Sequence, residues 1–252
     1  MTSPPVVFVT GASEGGIGFA LCVAFAAKGC RVFASARRLA ALEALPHTVE
    51  RLVLDVTDKN ACQQAVDEII SKAGKIDILV NNAGSGGTGA ALDFDVDEAK
   101  KVFEVNFFSP SLIPSPWAAV YSSSKAALHS WSEVLRMEVK GLGVKVLLVA
   151  PGAITSGFGV KQLDSIKMPE NSLYKSVEKQ IIARAEISQR PDHSLPASVL
   201  AEGIVKRALA MSPPTYYSAG GKALLFWVFE RLPRWFVWRL LAKALGTDKV
   251  GK

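Results

Sequence analysis

Cysteine is scarce in this chain. Cys22, Cys30 and Cys62 are all it has, an odd number with no CxxC pair. That speaks against a disulfide framework or a zinc site and suits a reducing compartment. No secretory leader is expected at the opening: the first apolar run, Val6–Val9, is far too short for a signal-peptide core, and no basic stretch precedes it. Internal repeats and low-complexity linkers are also missing. What is present is ordinary for a folded domain. Hydrophobic residues make up 49% and charged residues 21% of 252 positions, enough for one substantial core and too apolar for a disordered chain. The net charge of +6 is compatible with anionic partners such as phosphates or acidic lipid surfaces, and nothing points to nucleic acid.

Short β-branched runs alternate with helical patterns through the first two-thirds, which predicts an α/β fold with a parallel sheet covered by helices. The expected strands are 6–10, 31–36, 51–55, 76–80 and 144–150, with a final one at 215–218. The expected helices are 18–28, 58–72, 96–107, 118–140 and 198–211. Residues 156–196 read as an irregular, basic lid or substrate-facing insertion.

The opening strand runs into Thr10-Gly11-Ala12-Ser13-Glu14-Gly15-Gly16-Ile17-Gly18 and then a helix. Glycines there permit a tight turn and let a pyrophosphate reach backbone N–H groups at a helix N-terminus. A plain turn also uses glycine, but the strand–turn–helix context favours the phosphate reading. The second strand ends in Arg37-Arg38 where an NAD-type unit places an acid for the ribose 2′-OH. Two arginines suit a 2′-phosphate, although arginines at a strand end also serve simply as solvated groups. Asp55-Val56 follows the third strand, and Asn81-Asn82-Ala83-Gly84 the fourth.

In that order and spacing the segments resemble the short-chain dehydrogenase/reductase family, whose TGxxxGxG loop here carries one extra residue between Gly11 and Gly18. The Gly-Gly-Ile-Gly form is similar to the fungal NADPH-dependent 1-acyl-dihydroxyacetone-phosphate reductase branch. The resemblance implies a single-domain Rossmann-type, doubly wound parallel sheet. It implies an NADP(H) site at Gly11, Ser13, Gly16, Ile17, Gly18, Arg37, Arg38, Asp55, Val56, Asn82, Ala83 and Gly84, with Pro151, Gly152, Ile154 and Thr155 at the carboxamide end.

Tyr121 and Lys125 stand at i and i+4 on a helix and so share a face. A phenol with an ordinary pKa of about 10 is a poor base at neutral pH, and an adjacent ammonium favours its phenolate. A bare YxxxK is common on solvated helices, but here it resembles the family's active-site motif. The resemblance assigns Tyr121 proton exchange with a carbonyl or alcohol oxygen, Lys125 the nicotinamide ribose, and Asn106 a lysine-bound water relay. It also exposes a departure. The family's catalytic serine falls thirteen residues before the tyrosine, at Phe108, while Ser109 and Ser111 lie off register. Half a helix, a strand and two loops need roughly 20–30 residues, and Tyr121 follows Asn106 too closely to hold them. The expectation is a family chain that has lost a central strand together with its serine, as exon skipping would produce, leaving two strand edges unpaired.

Residues 222–245 form a basic, aromatic tail with three of the chain's five tryptophans; Lys222, Arg231, Arg234, Arg239 and Lys243 face one acid, Glu230. Charges recur too often for a spanning helix. The pattern suits an interfacial helix pair broken at Pro233, or a tail packed on the domain or on a partner subunit. The sequence therefore predicts an NADP(H)-binding domain over 1–221 followed by a membrane-surface segment over 222–252. The expected activity is reduction of a lipid-like ketone, 1-acyl-dihydroxyacetone phosphate first. An inactive cofactor-binding remnant and a retinol- or steroid-type dehydrogenase are the alternatives. A homo-oligomer stays open, and the expected location is the cytoplasmic face of the endoplasmic reticulum or a lipid droplet, otherwise the cytoplasm.

Overall fold

A computed structural model describes residues 3–106, 115–157, 166, 168–186, 194–221, 225, 228–229 and 231–251. In chain order its elements are β1 (Val6–Val9), α1 (Ile17–Ala27), β2 (Arg31–Ala36), β3 (Val49–Val53), α2 (Lys59–Ala73), β4 (Ile78–Val80), α3 (Val96–Asn106) and α4 (Ala119–Val139). Then follow β5 (Leu148–Pro151), β6 (Ile154–Thr155), α5 (Glu178–Glu186), β7 (Leu195–Pro196), α6 (Ala197–Ala208), β8 (Tyr216–Ala219) and α7 (Arg234–Leu245). They fall into two compact units, Met1–Gly84 with Pro196–Thr215, and Ser85–Leu195 with Tyr216–Lys252.

The first unit holds a parallel sheet in the order β3-β2-β1-β4, with Val7 opposite Val32 on one side and Ile78 on the other. The β-branched runs are buried on both faces, as a parallel sheet covered by helices requires. Val6, Phe8 and Phe33 point one way, into a cluster with Leu52, Leu54 and the α2 residues Ala65 and Ile69. The alternate residues Val7, Val9, Val32 and Ala34 point the other way and are fully buried. Helix α2 starts cleanly because Asp58 caps the N–H groups of Asn60 (2.8 Å) and Ala61 (3.1 Å), and it stops at Gly74 in the left-handed conformation.

The second unit packs α3 against α4 and pairs β5 with β8 in parallel, Leu148 opposite Tyr216. A separate cluster gathers Ala90, Trp117, Val177 and Ile181, with Tyr174, Leu245 and Val250 against it.

The stretch read as having lost a strand, residues 107–114, lies outside the described residues. Between α3 and α4 no strand occurs among the described residues; β4 pairs only with β1, and β5 only with β8. Leu79, in the middle of β4, is 54% exposed. Phe108, Ser109 and Ser111, which bear on the register of the family's serine, lie outside the described residues, as do Lys222 and Glu230.

Two expectations need correction. Residues 156–196 are not irregular throughout, because α5 runs through them with Ile181 and Ala185 buried at helical spacing. Strand β5 begins at Leu148 rather than at Val144, which is exposed. Helix α7 starts immediately after Pro233, where the break was expected, since proline is tolerated at a helix start and not inside.

Candidate functional site

In the first unit β1 delivers the chain into the glycine loop. Gly11 adopts φ +66°, and a Cβ there would stand 2.6 Å from the Ala83 Cα. At Gly18 a Cβ would collide with the Asn82 amide and come within 2.6 Å of the Gly11 carbonyl. Only glycine fits either place, so the loop and the segment after β4 lie backbone against backbone. Asn82 braces them, its Nδ2 donating to the carbonyls of Thr10 (2.9 Å) and Gly11 (3.0 Å). The buried Thr10 hydroxyl accepts from the N–H groups of Asn82 (3.1 Å) and Ala83 (3.2 Å).

Helix α1 then begins at Ile17, with Gly16 as an N-cap that offers no side-chain acceptor and with no acid in its first turn. The Gly16 N–H turns back to the Ser13 carbonyl (3.1 Å). A first turn with unsatisfied N–H groups and no competing carboxylate is a ready anion site. At the end of β2, Arg37 and Arg38 are exposed. Asp55 accepts from the N–H (3.0 Å) and hydroxyl (2.8 Å) of Thr57. These bonds, with a smaller contribution from Arg37, hold its carboxyl below the usual range. Val56, next to it, packs against the α2 cluster.

In the second unit Asn106 is fully buried at the end of α3. Its Oδ1 accepts from the Ser85 N–H (2.7 Å), and its Nδ2 donates to the Ser85 carbonyl (2.8 Å) and the Ser124 hydroxyl (3.4 Å). Ser124 sits between Tyr121 and Lys125 on α4, so Asn106 locks α3, Ser85 and the YxxxK turn together. The Lys125 side chain is 1% exposed, with its Nζ 5.0 Å from the centre of the Tyr121 ring.

The electrostatics differ from the expected ammonium beside a phenolate. Burial pulls Lys125 down to about 7 and pushes the Tyr121 phenol up, so both lean toward their neutral forms. The positive charge that opposes the rise of Tyr121 comes from Arg184. Arg184 lies on α5, and its Nε donates to the Ser115 hydroxyl (3.0 Å). Nothing in its sequence position distinguished it from the other basic residues of the insertion. The burial of Val177, Ile181 and Ala185 at helical spacing was the available signal that this stretch folds as a helix.

After β5, the Gly152 N–H donates to the Ala219 carbonyl (2.8 Å), Ile154 is buried, and the exposed Thr155 shares a hydrogen bond with Ser194 (2.5 Å). Pro151, as the last residue of β5, stands opposite Ala219.

Comparison with known proteins gives a consistent picture. The family model described as short chain dehydrogenase matches in two pieces, residues 5–113 and 109–165, which overlap at 109–113. A short-chain dehydrogenase of Penicillium crustosum is 36% identical, over 90% of this chain and 93% of its own. That alignment runs over 258 residues while occupying 90% of these 252, so it opens about 30 positions for which this chain has no residue. An NADPH-dependent 1-acyldihydroxyacetone phosphate reductase of Schizosaccharomyces pombe is 31% identical, over 72% of each chain. Among solved structures, a short-chain dehydrogenase of Streptomyces avermitilis superposes with a TM-score of 0.78 at 27% identity, over 100% of this chain and 99% of that one.

Proposed function

The chain belongs to the short-chain dehydrogenase family of oxidoreductases, and from that premise we propose that it reduces the ketone of a lipid-like substrate with NADPH, at a low rate. The observation that carries the reading is the buried Tyr121–Lys125 pair, tied to Asn106 through Ser124.

The residues present fit the cofactor. The close approach at Gly11 and Gly18 admits no Cβ, the first turn of α1 offers N–H groups to a pyrophosphate, and Arg37 and Arg38 offer two guanidiniums to a 2′-phosphate with no acid at positions 34–38. Asp55, Val56, Ala83 and Gly84 would serve the adenosine part, and Pro151, Gly152, Ile154 and Thr155 the carboxamide end. When bound, NADPH supplies the hydride. Tyr121 donates its proton to the carbonyl oxygen as charge develops there, a task for which a phenol kept protonated by burial is suited. Lys125 would orient the ribose, and Asn106 fixes the helix turn that carries both Tyr121 and Lys125. No serine donor stands opposite Tyr121 at the family register, and loss of one such donor commonly costs about 10²–10³ in rate.

A lipid-like substrate is supported by the acyl-ketone reductase among the relatives and by the surface of α7. Trp235 and Trp238 are 61% and 58% exposed there, beside the exposed Arg234, Arg239 and Lys243. Residues 231–245 contain no acid. That combination fits a peripheral contact with an anionic lipid surface. No helix among the described residues is long and apolar enough to cross a membrane.

The experiment is a pair of measurements on the full chain: titration with NADPH and NADH, and ketone-dependent NADPH oxidation with and without Tyr121→Phe. Tighter NADPH binding with oxidation that disappears in the variant supports the reading. NADPH binding without any Tyr121-dependent turnover supports instead a cofactor-binding protein that has lost its chemistry, the reading favoured by the shortness of the chain between Asn106 and Tyr121. No binding of either nucleotide defeats both.

A further inference from the structure

Arg184 is a guanidinium in an unusual position. Its Nε is taken by the Ser115 hydroxyl at 3.0 Å, and none of the ion pairs among the described residues includes it. The surrounding protein strips enough water from it to lower its pKa, and its charge reaches the Tyr121 phenol. Tyr121 does not neutralise it, because burial keeps that phenol protonated. Arg184 is half-buried, and a partly desolvated cation with no ion-pair partner among the described residues is suited to binding an anion. The two terminal nitrogens of a guanidinium present a flat fork that matches a carboxylate or a phosphate.

We propose that Arg184 seats an acidic group of the substrate, a carboxylate or a phosphate, beside the carbonyl that Tyr121 protonates. This deepens the reductase reading and rests on its placement of the reacting carbonyl at Tyr121. The substrate is then a ketone carrying its negative charge within a few bonds of the reacting carbon. Helix α5 acts as the specificity element, Arg184 binding the acidic group and Ser115 setting the tilt of the guanidinium.

The test is calorimetric titration of the full chain in the presence of NADP⁺, where a ketone binds without turnover. Two matched pairs serve as probes: dihydroxyacetone phosphate against dihydroxyacetone, and acetoacetate against its methyl ester. The wild type is expected to bind the charged member of at least one pair tenfold or more tighter than the neutral one, and the pair that responds tells phosphate from carboxylate. Arg184→Met should bring the two members within about twofold, Arg184→Lys should keep part of the preference, and Ser115→Ala should keep most of it. An unchanged melting temperature shows that each variant is folded. A wild type with no charge preference in either pair, or an Arg184→Met variant that retains it, overturns the proposal. Failure of NADP⁺ to bind, with the charge preference still present in its absence, sinks the reductase reading and leaves the anion site standing.

Discussion

Lys125 is expected to cost the fold stability, and replacing it with methionine should make the protein more stable. Its side chain is 1% exposed, and burial alone brings its pKa from 10.5 to about 7. Deprotonating a lysine at pH 7 when its unfolded value is 10.5 costs about 5 kcal/mol, at 1.36 per decade. Methionine has a similar length and no charge, so Lys125→Met removes that cost while keeping most of the packing. The dependence on pH follows from proton counting. Between pH 7 and pH 10.5 the unfolded chain carries a proton on Lys125 that the folded chain has released, so wild-type stability rises with pH through that window; below pH 7 both forms are protonated and the contribution is flat. The advantage of Lys125→Met should therefore be largest at pH 7 and shrink by about 2 kcal/mol by pH 8.5. Urea unfolding of both forms at pH 7.0, 7.75 and 8.5 measures this, because the cysteines, which begin to titrate in the unfolded chain over that range, are common to both proteins and cancel in the difference. Parallel pH dependences for the two proteins, or a variant less stable than wild type at pH 7, would refute the reasoning. A catalytic group held at the expense of the fold is a common trade between activity and stability.

Three further outcomes are expected. Inserting a strand-plus-serine segment after Ser109 should raise NADPH oxidation by two orders of magnitude or more and raise the melting temperature, because a new strand would pair the side of β4 away from β1, for which no partner occurs among the described residues; equal turnover in the two forms at matched folded concentration would show that the shortening is harmless. Arg37→Asp combined with Arg38→Asp should shift nucleotide preference from NADPH toward NADH by at least tenfold, and an unaltered ratio of the two dissociation constants would remove the basis for the 2′-phosphate assignment. On anionic vesicles, Trp235→Ser with Trp238→Ser should abolish co-sedimentation and added salt should weaken that of the wild type, whereas vesicle binding by the double variant equal to wild type would dismiss α7 as a lipid contact.

Much of the first unit can be read from residue patterns. Its first two strands are apolar runs buried on both faces, α2 is bounded by Asp58 and Gly74, and the strand–glycine–helix order has few physical realisations. The glycine positions are legible for the same reason, since close backbone approach tolerates no other residue at Gly11 or Gly18. The shortness of the chain between Asn106 and Tyr121 is legible as a distance along the sequence, because a strand and its loops need a minimum number of residues wherever they occur. What the pattern could not show is charge in three dimensions. The spacing of Tyr121 and Lys125 fixes that they share a helix face, but not that burial drives the lysine toward neutrality. Helix α5 was hidden for a related reason: its polar and basic residues outnumber the apolar ones that face inward, and Arg184 gains its significance from Ser115, 69 positions away.

Trp117 links the two ends of the second unit. It is the only non-glycine residue with a left-handed backbone among the described residues, at φ +66°. For a bulky side chain that conformation is strained by about 1–3 kcal/mol. Its indole N–H donates to the Leu245 carbonyl (2.8 Å), and its ring meets Tyr174 edge to face at 5.8 Å. These two anchors hold the bent backbone two residues ahead of the helix bearing Tyr121. The last turn of α7 thus works as a latch on the start of that helix. Cutting the chain before Leu245 to improve solubility would release the latch, let residue 117 relax toward an ordinary conformation, and disturb the entry of the YxxxK helix along with it. A tail-less protein is therefore an unsuitable control for lipid binding, and a purification tag is better placed at the other end of the chain.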